Sequence, residues 1–147
     1  MRKKCLLGFV FLAVAGMALA FPGPTLADDL VIIGNRSVPV SELSQSDIQN
    51  IYLGKTKVWD NGMKVIVVAL GDGDVTDRFL KNYVKKNSNT FNMYWKKQVF
   101  TGGGKPPTSF DKEKDLVEYV STTKGAVGYV SSQSVSDNVK IILVNGE

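Results

Sequence analysis

The chain has 147 residues, with 18 Lys and Arg, 14 Asp and Glu, one cysteine and no histidine. Without histidine, Ser-His-Asp and Cys-His catalysis and His-containing zinc sites are excluded. Three of the bases and the cysteine lie in the first five residues, and beyond residue 27 the chain carries fifteen bases against fourteen acids. That near-neutral balance removes the main support for nucleic-acid binding.

The first 27 residues read as a secretory leader. Arg2, Lys3 and Lys4 precede an uncharged apolar run from Cys5 to Ala20, and "FPGPTLA" follows, broken by Pro22 and Pro24. This order of charged, apolar and small-residue regions predicts a cleaved signal peptide over 1–27, with cleavage after Ala27 preferred to cleavage after Ala20. A membrane anchor fits less well, because the run is at the short end for a span. The expected product is a periplasmic domain over 28–147 with no stable membrane insertion. It has no cysteine, so its core must hold it without disulfides.

The remaining pattern alternates between strand and helix. "LVIIGN" (30–35) is a short apolar run ending in turn residues, and predicts a strand. "SQSDIQNIYLG" has a Ser-Asp start, Ile48, Ile51 and Tyr52 at helical spacing, and Gly54 as a C-terminal stop. A loop with a turn at Asp60-Asn61-Gly62 leads to "KVIVVAL" (64–70), which reads as a strand buried on both faces. "GDGDVTDRFLKNYVKK" and "SNTFNMYWKKQVF" predict two amphipathic helices, and "TGGGKPPTSF" a surface loop. "DKEKDLVEYVSTT" predicts a helix with acids in its first turn, and "GAVGYV" and "VKIILV" predict strands. The order β, α, β, α, α, α, β, β implies an α/β layered domain with a mixed sheet flanked by helices.

Motif tests are mostly negative. "TGGGKPP" fails as a phosphate loop, since Val99 stands at the first glycine position and Pro106 follows Lys105. Asp72, Asp74 and Asp77 fail as a calcium loop: Asp77 and Tyr83 stand where glycine and glutamate are needed. The aspartates read instead as caps of a helix N-terminus. That terminus follows a buried strand and is itself a place for an anion. No cofactor, metal or catalytic residue is expected. Trp95 reads as core, and Trp59 divides evenly between core and cleft edge.

Three stretches, in order, resemble the periplasmic phosphate-binding proteins of ABC transporters. "LSQSDIQNIYLGKTKVWDNG" is similar to that family's helix-loop segment, "KVIVVALGDGDVTDRF" to its strand and ligand loop, and "GAVGYV" to its closing strand. "YWKKQVFTGGGKPP" resembles short, single-lobe members. The resemblance implies one type II periplasmic-binding-protein lobe and a non-enzymatic solute-binding role. It places ligand contacts at Gly71, Asp72, Gly73, Asp74, Val75 and Thr76, with Trp59, Gly125 and Tyr129 as cleft or partner contacts.

Two departures qualify that implication. The family's binders have two lobes, and this chain matches one. Where the family's loop carries an arginine before Ser-Gly-Thr, this chain has Leu70, Asp74, Val75 and Thr76. A carboxylate at a helix N-terminus repels a phosphate dianion, and a missing arginine removes a bidentate partner. The expected ligand is therefore phosphate or another small oxyanion held weakly, or none. The alternative is a periplasmic interaction module that keeps the fold, has lost the ligand, and self-associates or docks a protein partner.

Overall fold

A computed structural model describes residues 29–146; the leader expected over 1–27 lies outside them. The strands are β1 (Leu30–Gly34), β2 (Glu42–Ser44), β3 (Ile66–Leu70), β4 (Thr108–Phe110), β5 (Ala126–Ser131) and β6 (Lys140–Asn145). The helices are α1 (Gln45–Tyr52), α2 (Asp74–Phe79), α3 (Ser88–Phe100) and α4 (Glu113–Thr122). A π-helical turn, Leu80–Val84, continues α2, and a 3-10 turn, Ser132–Ser134, follows β5.

The strands form one mixed sheet in the order β2-β6-β1-β5-β3-β4. β1 runs antiparallel to both its neighbours, and the pairs β3/β5, β3/β4 and β2/β6 are parallel. β2 and β4 are absent from the sequence reading. Each has three residues at a sheet edge, too few for a period-two signal, and each becomes a strand only by pairing with its longer neighbour.

Local chemistry sets the helix ends. Ser44 Oγ accepts from the Asp47 N–H, and the Asp47 carboxylate accepts from the Ser44 N–H, both at 3.0 Å; this capping box starts α1. Gly54 follows the α1 C-cap at φ 72°, the left-handed geometry that stops a helix. Thr123 is the C-cap of α4, and Gly125, at φ 78°, turns the chain into β5.

Both faces of β5 are covered, and all six of its residues are buried. A Cβ on Gly128 would lie 2.9 Å from side-chain atoms of Leu116 in α4 and Val68 in β3, so the glycine admits α4 against the sheet. On the opposite face the Tyr129 ring stacks on Phe79 of α2, with centroids 3.9 Å apart, and Tyr52 of α1 meets Phe79 edge-on at 4.6 Å. This aromatic wedge joins α1 and α2 beneath the C-terminal end of β3.

Candidate functional site

The loop leaving β3 carries most of the residues that the resemblance singles out. Gly71 N–H donates to the Phe110 carbonyl at 2.9 Å, which ties the loop to β4. Asp72, Gly73 and Asp74 are exposed, Val75 is half-buried against the core, and Thr76 is buried. Leu70, at the position of the family's arginine, belongs to the hydrophobic core.

Four groups form a closed hydrogen-bond chain below the loop. The Leu70 N–H donates to the Tyr129 hydroxyl at 3.2 Å, the two hydroxyls of Tyr129 and Thr76 are 3.0 Å apart, and Thr76 Oγ1 donates to the Gly71 carbonyl at 2.7 Å. Each hydroxyl has one proton. With Thr76 donating to Gly71, the Tyr129 proton goes to Thr76 or to the Leu70 carbonyl, 3.4 Å away, and in either case neither hydroxyl keeps a proton for a ligand. Burial holds the Tyr129 phenol above its ordinary value; the negative charges of Asp72 and Asp77 push the same way, against the bonds from Thr76 and Leu70.

The aspartates do not cap α2 as the sequence suggests. Gly73 is the N-cap, with no side-chain hydrogen bond. Asp74 instead pairs forward with Arg78 Nε at 3.0 Å, one turn along the helix, and Asp77 accepts from Ser88 Oγ at 2.7 Å. Their carboxylates thus lie beside the helix and do not cap its first N–H groups.

Above the loop is a cavity of about 270 Å³. One wall is the β3 end with Asp72 and Thr76, and Tyr129 and Ser109 add to it. The other is α3 and the proline pair Pro106–Pro107. No lysine or arginine lines it. Sequence reasoning missed the α3 wall, although Ser88, Phe91, Asn92 and Trp95 recur at i, i+3, i+4 and i+7 along one helix face. A larger cavity of about 420 Å³ shares Trp95 and the prolines and has Lys57, Lys64 and Lys105 in its lining, but it does not touch the 69–76 loop. The smaller one is the candidate site because it contains the loop's polar groups.

Trp59 and Gly125 are joined away from this cavity. The Trp59 indole N–H donates to the Gly125 carbonyl at 3.0 Å, and Trp59 is 4% exposed. Trp59 is therefore core, a correction to its reading as a cleft-edge or partner contact; Gly125, also buried, is its anchor. Tyr129 is 1% exposed and reaches the cavity from below, as a floor and not as a protruding contact.

A second polar cluster, also missed, closes the end of β5. Glu113, the first residue of α4, accepts from the Ser131 N–H at 2.7 Å and from the hydroxyls of Ser131 and Ser134. Partial burial works against ionisation, but these bonds and the Arg78 charge outweigh it and hold the carboxyl below its ordinary value. Among the described residues no cluster of acids suits a metal ion, and no helix is long and apolar enough to cross a membrane.

Comparison with known proteins follows the same outline. A family model described as a PBP superfamily domain matches residues 18–142. Among solved structures, a putative phosphate ABC transporter substrate-binding protein with bound phosphate from Clostridium perfringens superposes with a TM-score of 0.64 at 23% identity. The match covers 80% of this chain and 45% of that one. An ABC-type phosphate transport receptor from Vibrio cholerae gives 0.56 at 20% identity, covering 80% and 46%. PstS from Borrelia burgdorferi gives 0.59 at 14% identity, covering 80% and 47%. The chain thus spans less than half the length of each, as one lobe would. No curated protein matches it.

Proposed function

The chain belongs to the PBP superfamily, and from that premise we propose that it is an exported, non-enzymatic solute-binding lobe, related to the phosphate-binding component of ABC transporters, whose own oxyanion affinity is weak or lost. The observation that carries this reading is the internal hydrogen-bond chain. Thr76, the one residue retained from the family's Ser-Gly-Thr, donates to Gly71 and shares a hydroxyl–hydroxyl hydrogen bond with Tyr129. A bound anion would have to break that chain before it gained a donor from either hydroxyl. It would also face Asp72, in a cavity with no basic lining. The cavity's place beyond the C-terminal end of a parallel strand suits a small ligand, as in other open α/β sheets.

Calorimetry at pH 7 with phosphate, sulfate and molybdate tests the reading. The expected result is phosphate binding weaker than about 1 mM, that is, less than about 4 kcal/mol of binding free energy. Micromolar phosphate binding by the unmodified chain overturns it. Export is tested separately: mass spectrometry of periplasmic protein should find a chain beginning at Asp28, and a cytoplasmic chain retaining Met1 rules it out.

The second reading is an interaction module that keeps the lobe and uses no ligand. It is favoured by the same closed chain, which stabilises the loop without help. Cross-linking in cells distinguishes the two: a periplasmic protein partner or a second copy caught at the 71–76 loop favours the module.

A further inference from the structure

Charge is distributed unevenly along the chain. Between Arg78 and Phe110 there are seven basic residues and no acidic one, whereas the other described residues carry twelve acids against eight bases. α3 runs through the middle of the basic segment. It is pinned by Trp95, its one buried side chain, and by Tyr94, whose hydroxyl donates to the Leu53 carbonyl at 2.6 Å. Phe91 also packs against the core, and the opposite face of the helix, with Met93, Lys96, Lys97 and Phe100, is exposed.

The outward face is apolar as well as basic. Phe100 is 92% exposed, Met93 68% and Val99 53%. Met93, Lys96, Lys97 and Phe100 recur at i, i+3, i+4 and i+7, so they share one stripe, and Val99 lies one turn from Lys96. A groove of about 460 Å³ beside the stripe is lined by Trp95, Val99, Phe100 and Pro106. The carboxylate bonded to α3 is Asp77, which meets Ser88 at the helix start, roughly 18 Å along the axis from Phe100.

We propose that this face of α3 docks the protein on the surface of an anionic phospholipid bilayer, the helix lying in the interface with Phe100 and Met93 inserted and Lys96 and Lys97 at the phosphate level. Met93 and Phe100 lie two turns apart with Lys96 and Lys97 on either side of the line between them, so the face has an apolar centre and a cationic rim. Lysine stems lie along apolar surface while their ammonium groups stay in the polar layer. Each lysine near an anionic leaflet adds attraction that a neutral one does not supply. A protein partner fits less well, because protein interfaces are depleted in lysine and favour arginine, whose fork matches carboxylates. Six of the seven bases here are lysines, and the arginine, Arg78, is paired with Asp74. The stripe of Met93, Lys96, Lys97 and Phe100 lies outside the candidate cavity, although the groove beside it shares Asn92, Trp95 and Pro106 with that cavity.

The test is vesicle co-sedimentation with protein isolated from cells that express the full chain. Binding is expected to vesicles of equal phosphatidylcholine and phosphatidylglycerol, to fall steeply between low and high salt, and to vanish on phosphatidylcholine alone. Lys96→Gln with Lys97→Gln should lower the partition about thirtyfold, and Phe100→Ser about tenfold. All three positions are exposed, so circular dichroism should remain that of the parent. Equal binding to both vesicle types, no binding to either, or unchanged binding by the variants overturns the proposal. A photo-crosslinker at position 100 adds an independent readout: lipid adducts support docking, whereas capture of a second copy or of another protein overturns it.

Discussion

β5 and α3 hold their residues in opposite ways. All six residues of β5 are buried, while α3, with thirteen, buries Trp95 alone. β5 sits between two helical layers and two strands, so each side chain there meets a neighbour that cannot retreat. α3 touches the body along one edge and presents its remaining faces to solvent. The lesson is that one segment specifies the fold and the other is left to carry surface chemistry. Substitutions should separate accordingly.

The largest effect is expected at Gly125, the entry to β5. An added Cβ would lie 2.2 Å from the Lys64 carbonyl oxygen at a φ of 78°. Gly125→Ala should therefore cost about 3 kcal/mol or more, from backbone strain plus a clash with main chain that cannot swing aside. Urea denaturation measures it, and a loss below about 1 kcal/mol would end the view of β5 as the rigid element.

Next is Tyr129→Phe, which removes the middle of the hydrogen-bond chain and leaves the buried Leu70 N–H without that acceptor. The expected loss is about 2 kcal/mol, the cost of one orphaned buried donor. The same variant frees Thr76 from its tyrosine partner, so calorimetry should be repeated on it.

A pH titration sharpens the contrast further. Burial raises the Tyr52 and Tyr129 phenols above their ordinary value of 10.0. The unfolded chain therefore ionises first. The stability these phenols contribute is fully present below pH 10.0 and is lost as pH rises through their native values. The urea midpoint should fall above that pH, and Tyr52→Phe should flatten the fall. For Glu113, whose pKa is lowered, the sign reverses: its contribution is present above its ordinary value of 4.5 and lost in acid.

Smaller effects are expected in α3. The Trp95 indole N–H has no hydrogen-bond partner among the described residues, so Trp95→Phe forfeits packing but no hydrogen bond. A loss of about 1 kcal/mol is expected by denaturation. Phe100→Ser, at the exposed end, should change stability by less than about 0.5 kcal/mol. A larger loss would mean that this part of α3 packs as tightly as β5.

Much of the fold was legible in the residues themselves. The Ser-Asp start of α1, the Gly54 stop, the apolar run of β3 and the glycine-marked β5 are local signals, since each depends on neighbours a few positions away. They sufficed for the α/β class, and the ordered set of motifs for the family resemblance. The candidate loop 71–76 was legible in the same way. What its side chains do was not. Asp74 reads as a cap, but a salt bridge to Arg78 draws it along the helix. Trp59 was undecided until its indole met the Gly125 carbonyl, 66 residues away. β2 and β4 exist because a longer strand lies beside them, and the second wall of the cavity because α3 lies across it from the end of β3. These outcomes rest on contacts between residues far apart in the chain, where the geometry of closure decides which hydroxyl donates, which carboxylate is drawn aside and which aromatic is covered. No local pattern carries that information, because the competing arrangements differ only in what the rest of the chain brings next to them.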